Sequence, residues 1–131
     1  MHCPVCKGEQ LIVLEYQQIE VDYCTACRGV WLDSGELELL FGDDDATAKF
    51  LSIGEAAVVP AGEKPRRCPE CNRKMTKEST SSDPPVTFDH CPLGDGLWFD
   101  GGELHTVLTH AETLVSSNEV AAFLKEVFPE Q

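Results

Sequence analysis

The feature that most constrains this chain is a pattern of cysteines that occurs twice. The first unit contains Cys3, Cys6, Cys24 and Cys27, and the second contains Cys68, Cys71 and Cys91. In both units a Trp follows the third cysteine by seven residues, an Asp by nine, a Glu by twelve and a Leu by thirteen. Because agreement at so many fixed offsets does not arise by chance, we interpret the chain as an internal duplication.

The two Cys-x-x-Cys pairs of the first unit have the spacing of a zinc site. Two thiolates on one tight turn can approach a single ion at about 2.3 Å, and a second pair completes a tetrahedral shell. Gly8 and Gly29 each lie two residues after a pair, where we expect the turn to need the positive φ that glycine tolerates. The sequence therefore predicts a structural zinc site formed by Cys3, Cys6, Cys24 and Cys27.

Two disulfides, or thiols without a metal, are the alternative interpretation of these cysteines. The first residues, Met1-His2-Cys3-Pro4, lack the basic and apolar regions of an export signal. No run in the sequence approaches the roughly 18 apolar residues of a membrane span. We therefore expect a cytoplasmic protein without a membrane segment, in which reduced cysteines bind metal.

The second unit lacks its fourth cysteine, because Gly94 stands at that position. Three possibilities remain open for the second site. His105, in the first turns of the following helix, is the preferred fourth ligand, and Asp95, between two glycines, is the alternative carboxylate ligand. The site can also be degenerate and weakly metallated or empty. Two zinc ions are expected, the second with Cys68, Cys71, Cys91 and His105 or Asp95.

The cysteine turns and the residue patterns between them predict a small, metal-stabilised α+β protein of two tandem units, each a β-hairpin followed by a short helix. Strands are expected at 11–16 and 19–23, and again at 74–79 and 86–90. Helices are expected at 34–41, 46–53 and 101–115. The predicted organisation is a first metal-binding unit at 1–42, an acidic, helical segment and linker at 43–67, a variant second unit at 68–115 and a C-terminal amphipathic helix at 116–131.

The C-terminal helix carries an apolar stripe at helical spacing, formed by Val120, Phe123, Leu124, Val127 and Phe128. Such a stripe must pack against another apolar surface. Packing within the chain and a homodimer interface both satisfy this requirement. Trp31 and Trp98 are interpreted as core residues beneath the metal turns, because a unit of about 40 residues has little other core.

The cysteine pairs and the run Gly-x-Trp-Leu/Phe-Asp-x-Gly-Glu-Leu that follows them resemble the family of small zinc ribbons called transcription factor IIB-type zinc fingers. The resemblance covers residues 3–40 and, with one cysteine missing, residues 68–108. It implies that the two units are tandem zinc ribbons and that Zn²⁺ is the cofactor. It also implies that the metal ligands are Cys3, Cys6, Cys24 and Cys27 in the first unit, with Cys68, Cys71 and Cys91 in the second.

A non-catalytic adaptor that binds another protein is the function that the sequence favours. No His-Glu-x-x-His motif or evident general base accompanies the predicted sites, so we do not expect an enzyme. Nucleic-acid or transcription-machinery binding is the alternative, based on Lys64, Arg66, Arg67, Arg73, Lys74 and Lys77. A formal charge of −13 disfavours nucleic acid, because phosphate binding depends on Lys and Arg. A thiol-redox or chaperone role through Cys68 and Cys71 is a second alternative.

Overall fold

The computed structural model describes residues 1–6, 8–16, 18–34, 36, 66–80, 86–110 and 118–128 of the 131-residue chain. The first unit has strands β1 (Ile12–Tyr16), β2 (Ile19–Tyr23) and β3 (Val30–Asp33). The second unit has strands β4 (Thr76–Ser79), β5 (Thr87–His90) and β6 (Gly96–Phe99). Among the described residues, the sheet is followed by the helices α1 (Glu103–His110) and α2 (Asn118–Val127).

The six strands form a single antiparallel sheet in the order β1-β2-β3-β6-β5-β4. The two units therefore share one sheet, which is joined through β3 and β6 at its centre. Trp31 of β3 lies opposite Trp98 of β6 in this central pair. Neither β3 nor β6 was among the predicted strands. Their short apolar runs, Val-Trp-Leu and Leu-Trp-Phe, are typical of central strands that are buried on both faces.

Side chains alternate between the two faces of the sheet. On one face, which we call the helix face, Val30, Leu32, Leu97 and Phe99 join the core that includes Leu104, Leu108 and Leu124 of the helices. On the opposite face, the metal-site face, Trp31 and Trp98 pack with buried cysteines of both units. The central strands are therefore covered by helices on one side and by the cysteine turns on the other.

The glycines of the cysteine turns differ from the sequence expectation in one respect. Gly8 has a φ of +94°, as expected, but Gly29 does not have a positive φ, and the left-handed residue of its turn is Arg28 at +66°. Gly29 is required for space, because a Cβ there would collide with the indole of Trp98. Gly96 is its counterpart in the second unit. A Cβ there would collide with the Leu32 carbonyl, the Asp33 backbone and the Trp31 indole.

Helix α1 begins at the predicted capping box. The Asp100 N–H donates to Oε1 of Glu103 at 2.8 Å, and the Glu103 N–H donates to the Asp100 carbonyl oxygen at 2.9 Å. In the first unit the Glu36 N–H donates to Oδ1 of Asp33 at 3.0 Å. Most of the predicted 34–41 helix lies outside the described residues. The 46–53 helix, most of the 43–67 segment and the 111–115 extension of the later helix also lie outside them.

Helix α2 packs within the chain. Leu124 and Phe128 are buried, and Phe123 and Val127 pack against the same core. The Tyr23 ring contacts the Phe128 ring edge-on, with centroids 5.5 Å apart. These four residues of the apolar stripe therefore pack within the chain, which is one of the two alternatives that the sequence left open. The side chain of Val120 is not among those that the structure describes. No helix in the described ranges is both long enough and apolar enough to cross a membrane.

Candidate metal centres

The first centre is a cluster of four sulfur atoms on the metal-site face. The Sγ atoms of Cys3, Cys6, Cys24 and Cys27 all lie within 4.8 Å of one another. Cys24 directly follows β2, and Cys27 precedes β3, so the sheet positions one pair while the N-terminal turn positions the other. The Val5 and Cys6 N–H groups donate to Sγ of Cys3 at 3.3 and 3.2 Å. Such N–H donors favour a sulfur that carries negative charge.

These four residues fit a zinc ion and do not form disulfides. All seven cysteines are free, and Sγ of Cys3 lies 3.7 Å from Sγ of Cys27, far beyond a disulfide bond of about 2.0 Å. Burial raises the pKa of Cys3 and of Cys27 above the ordinary value of a thiol. A bound Zn²⁺ would supply the positive charge that keeps the four thiols deprotonated together in this buried position.

The second centre contains three sulfur atoms and one carboxylate. Cys68, Cys71, Cys91 and Asp95 place their ligand atoms within 4.8 Å of one another. Oδ2 of Asp95 lies 3.5 Å from Sγ of Cys68 and 3.4 Å from Sγ of Cys91. Hydrogen bonds from the Cys71 and Cys91 thiols lower the pKa of Asp95, so its carboxylate is ionised at neutral pH. Three thiolates and one carboxylate are a donor set that suits zinc.

A turn after Cys91 brings Asp95 to this position. The Gly94 N–H donates to the Cys91 carbonyl oxygen at 2.9 Å, and Gly94 has a φ of +81°, which glycine takes without strain. In the repeat, Asp95 corresponds to Arg28, while Gly94 corresponds to the ligand Cys27. The carboxylate therefore reaches the cluster from the position after the missing cysteine, over a longer side chain than that of cysteine.

The structure does not bring His105, the fourth ligand that the sequence analysis preferred, to the second cluster. His105 belongs to α1, and its Nδ1 lies 3.1 Å from the carbonyl oxygen of Lys125 in α2. It is not a member of the second cluster. The reason is geometric, because α1 lies against the helix face, whereas the cysteines lie on the opposite face of the sheet. Asp95, the alternative that the sequence left open, occupies the place predicted for His105.

The thiol-redox alternative requires an activated thiol at Cys68 or Cys71. Burial raises the pKa of Cys68 to about 12, whereas reactive cysteines have a pKa below about 7.5. The pKa of Cys71 is also raised. The nearby Arg73 and Lys74, which suggested activation in the sequence, do not produce a low thiol pKa here. The geometry favours metal ligation over thiol chemistry for this pair.

A buried ionic network lies on the metal-site face of the second unit, and no pattern in the sequence predicted it. Nζ of Lys77 lies 3.2 Å from Oδ2 of Asp89 and 3.9 Å from Oδ2 of Asp100. Oδ1 of Asp100 accepts a hydrogen bond from Nε1 of Trp98 at 2.9 Å and lies 3.5 Å from Nε of Arg66. Two residues of the predicted basic surface cluster are therefore paired inside the fold.

The carboxyl of Glu103 adjoins this network. Burial, and then the charge of Asp100, raise the pKa of Glu103 to about 7. Its Oε2 accepts a hydrogen bond from the Thr87 hydroxyl at 3.0 Å. Since both of its carboxylate oxygens are used by the helix cap and by Thr87, Glu103 acts on the fold of the second unit and has no free oxygen for chemistry.

Comparison with known proteins gives one family. A family model described as a transcription factor zinc-finger, the zinc ribbon of the TFIIB type, matches residues 2–41 and again residues 67–110. The two matched ranges contain the two cysteine clusters. No curated protein and no solved structure gives a significant match.

Proposed function

Because the chain belongs to the transcription factor zinc-finger family, of which it carries two tandem copies, we propose that it is a non-catalytic, zinc-stabilised adaptor that binds another protein. The observation that carries this proposal is the composition of the two centres. Each brings four protein donor atoms within 4.8 Å of one another. A zinc ion with four protein ligands has no open position for substrate or water, which is the mark of a structural site.

The acidic residues beside the centres support a structural role rather than catalysis. Asp33 accepts the Glu36 N–H at 3.0 Å, and Glu103 accepts the Asp100 N–H at 2.8 Å. Among the residues that the structure describes, these two carboxyls serve as helix caps. A general base needs a free oxygen within reach of a substrate proton, and both carboxylate oxygens of Glu103 already accept hydrogen bonds.

A protein partner is favoured over a nucleic acid by the charge distribution. The formal charge of the chain is −13. Lys77 and Arg66 are paired with carboxylates in the fold, so the basic cluster of the sequence contributes fewer exposed charges than its composition suggests. Arg67, Arg73 and Lys74 are exposed. We place the protein in the cytoplasm, since zinc binding requires reduced thiols.

Transcription-machinery or nucleic-acid binding is the second candidate function. The description of the family as transcription factor zinc-fingers favours it, as do the three exposed basic residues around the second centre. Contact with protein subunits of that machinery agrees with both candidates, because such a surface need not be a polyanion.

The test is capture of a binding partner by the zinc-loaded protein, before and after nuclease treatment, with a Cys24→Ser variant as the control. We expect a specific protein that is retained after nuclease treatment and lost with the variant, since loss of one ligand unfolds the first unit. Material that is released by nuclease would favour the second candidate. Equal capture by the native protein and the variant would contradict the proposal.

A further inference from the structure

The ligand turns that follow β2 and β5 have the same length in the two units but hold different residues against their metal centres. In each turn the N–H of the first cysteine donates to the carbonyl oxygen of a glycine, Gly29 at 3.0 Å and Gly96 at 3.2 Å. Within these equivalent turns, Arg28 corresponds to Asp95. Arg28 contacts α2, whereas Asp95 belongs to the second metal cluster. One position of the repeat is therefore an anchor in the first unit and a ligand in the second.

The backbone accounts for this exchange of roles, because the left-handed residue lies one position earlier in the second turn. In the first turn it is Arg28, whose N–H donates to the Cys24 carbonyl oxygen at 2.9 Å. In the second turn it is Gly94, whose N–H donates to the Cys91 carbonyl oxygen at 2.9 Å. Asp95 follows directly and takes the fourth place in the cluster.

The first ligand turn is packed against the end of α2. Nη2 of Arg28 donates to the Val127 carbonyl oxygen at 2.6 Å, and the guanidinium lies over the Phe128 ring. The same buried ring contacts Tyr23, the residue before Cys24, with ring centroids 5.5 Å apart. Both ends of this turn are therefore held by one aromatic side chain, and the turn cannot open without disturbing α2.

The second ligand turn is open at the corresponding place. Gly94 is exposed, and its neighbour Leu93 is 59% exposed. Apart from its two chain neighbours, no described residue lies within 4 Å of the position that a Cβ would take at Gly94. The Asp95 carbonyl oxygen accepts the Ser34 N–H at 2.9 Å, so the backbone is held in place. The carboxylate can therefore leave the cluster by rotation of its side chain alone.

Asp95 is the one donor of the two clusters that is not a sulfur atom. Thiolates select zinc among the divalent metals, whereas carboxylates suit harder cations such as Mg²⁺. The fourth donor of the second centre is therefore weaker than any donor of the first. The strength of the donor and the freedom of the turn distinguish the two centres in the same direction.

We propose that the second centre is an exchangeable zinc site, at which Asp95 is the ligand that leaves first, whereas the first centre retains its ion. Rotation of the Asp95 side chain leaves three cysteine donors and gives a chelating molecule access to the centre. The second unit then responds to zinc concentrations at which the first unit remains loaded. This inference goes beyond the adaptor function and does not depend on it.

The experiment measures zinc transfer from the full, zinc-loaded chain to an excess of the coloured chelator pyridylazoresorcinol. We expect two phases of one ion each, the first faster by about tenfold or more. The amide resonances of Gly94 and Gly29 report the two ligand turns separately. After withdrawal of one ion, the Gly94 resonance should have changed and the Gly29 resonance should be that of the loaded protein.

Substitutions at Asp95 and Glu70 separate the ligand from its charge. Asp95→Asn keeps the size of the side chain but offers a neutral, weaker donor. The fast phase should then be faster by about tenfold or more, or lost, with the slow phase unchanged. Glu70→Gln removes the same charge at an exposed position between Cys68 and Cys71 and should leave both phases as in the native chain. A native Gly29 resonance in both variants would show that each is folded.

Arg28→Gln tests why the first centre is slow. Without the guanidinium the first ligand turn loses its bond to α2, so the slow phase should become faster by about tenfold. The fast phase should stay as in the native chain. Arg73→Gln, at an exposed position beside the second centre, is the matched control and should leave the slow phase unchanged.

Five results would overturn the inference. These are release of both ions in one phase, a change of the Gly29 resonance before that of Gly94, binding of a single zinc ion by the native chain, native rates in Asp95→Asn, and equal acceleration by Asp95→Asn and Glu70→Gln. The last would assign the fast phase to the charge of the turn and not to the ligand. Partner capture is measured separately, so the adaptor function can stand when this inference fails.

Discussion

Trp31 and Trp98 lie opposite each other at the centre of the sheet, and each indole covers the glycine of the other unit's metal turn. Trp98 closes the space above Gly29, and Trp31 closes the space above Gly96. The two metal centres are therefore connected by packing as well as by the shared sheet. A change in one turn is transmitted to the tryptophan of the other unit.

This reciprocal packing predicts that Gly29→Ala destabilises the zinc-loaded protein through Trp98. We expect a loss of about 1–3 kcal/mol in the free energy of unfolding, since an added methyl overpacks a closed space. Trp98→Phe removes the outer ring atoms that the new Cβ would strike. In urea unfolding, Gly29→Ala should lower the free energy of unfolding by less in the Trp98→Phe background than in the native protein. An equal loss of unfolding free energy in the two backgrounds would show that the added methyl collides with atoms other than those of the Trp98 indole.

The second metal centre predicts a difference between Asp95 and His105 in zinc content. The native protein should bind two zinc ions, and His105→Ala should still bind two. Asp95→Ala should weaken the second ion by more than the roughly 10–100-fold that loss of an outer-shell partner costs, because a direct donor is removed. Elemental analysis and competition with a chelator measure this. Loss of one ion from His105→Ala, with Asp95→Ala unaffected, would restore the imidazole as the ligand.

The C-terminal helix is held by a side chain from the first metal turn. Nη2 of Arg28 donates to the Val127 carbonyl oxygen at 2.6 Å, and its guanidinium carbon lies 5.7 Å from the centre of the Phe128 ring. Arg28→Gln should lower the free energy of unfolding by about 1–3 kcal/mol and speed amide hydrogen exchange in α2. The control is Arg73→Gln at an exposed position. Equal exchange rates in both variants would remove Arg28 as the anchor.

The raised pKa of Glu103 predicts a pH dependence of stability. Its pKa is about 7 in the folded protein against 4.5 for an ordinary glutamate, so the folded state binds the proton more tightly. This contribution to stability is complete below pH 4.5 and is lost progressively as the pH rises from 4.5 through about 7. Lys77, Asp100 and Thr87 face the carboxyl and set its pKa.

Glu103→Gln keeps a neutral side chain at all pH values and so provides the reference for this measurement. From pH 6 to pH 8.5, the native protein should lose about 1 kcal/mol relative to Glu103→Gln, as measured by urea unfolding in zinc-containing buffer. Taking the difference between the two proteins cancels the pH dependence of zinc binding. A constant difference across this range would contradict the raised pKa.

The cysteine ligands of the metal clusters could be predicted from the sequence because their determinants are local. Two cysteines on one turn need no knowledge of distant packing, and the strands at 12–16 and 19–23 pair with their immediate neighbour. The fourth donor of the second unit was harder. A histidine in a helix and an aspartate in a turn are equally plausible ligands until the side of the sheet on which the helix lies is known. His105 faces α2, and that contact spans 20 residues of chain.

The central strands could not be predicted from either unit alone. Val30–Asp33 pairs with Gly96–Phe99, and the paired residues Leu32 and Leu97 lie 65 positions apart in the chain. Each strand has four residues, too few for an alternating pattern to identify it. Lys77 was misread for a related reason. Its charge suggested exposure, but its partner Asp89 lies on the neighbouring strand, and burial of the pair is a property of the assembled sheet.

The pairing of β3 with β6 is symmetric with respect to the repeat. Leu32 pairs with Leu97, and their counterparts in the repeat, Phe99 and Val30, also pair with each other. The two units therefore contact each other through equivalent strands, which is the isologous arrangement of a symmetric dimer. Duplication within one chain therefore places inside a single molecule the strand contact that two separate copies of such a unit would form as a dimer.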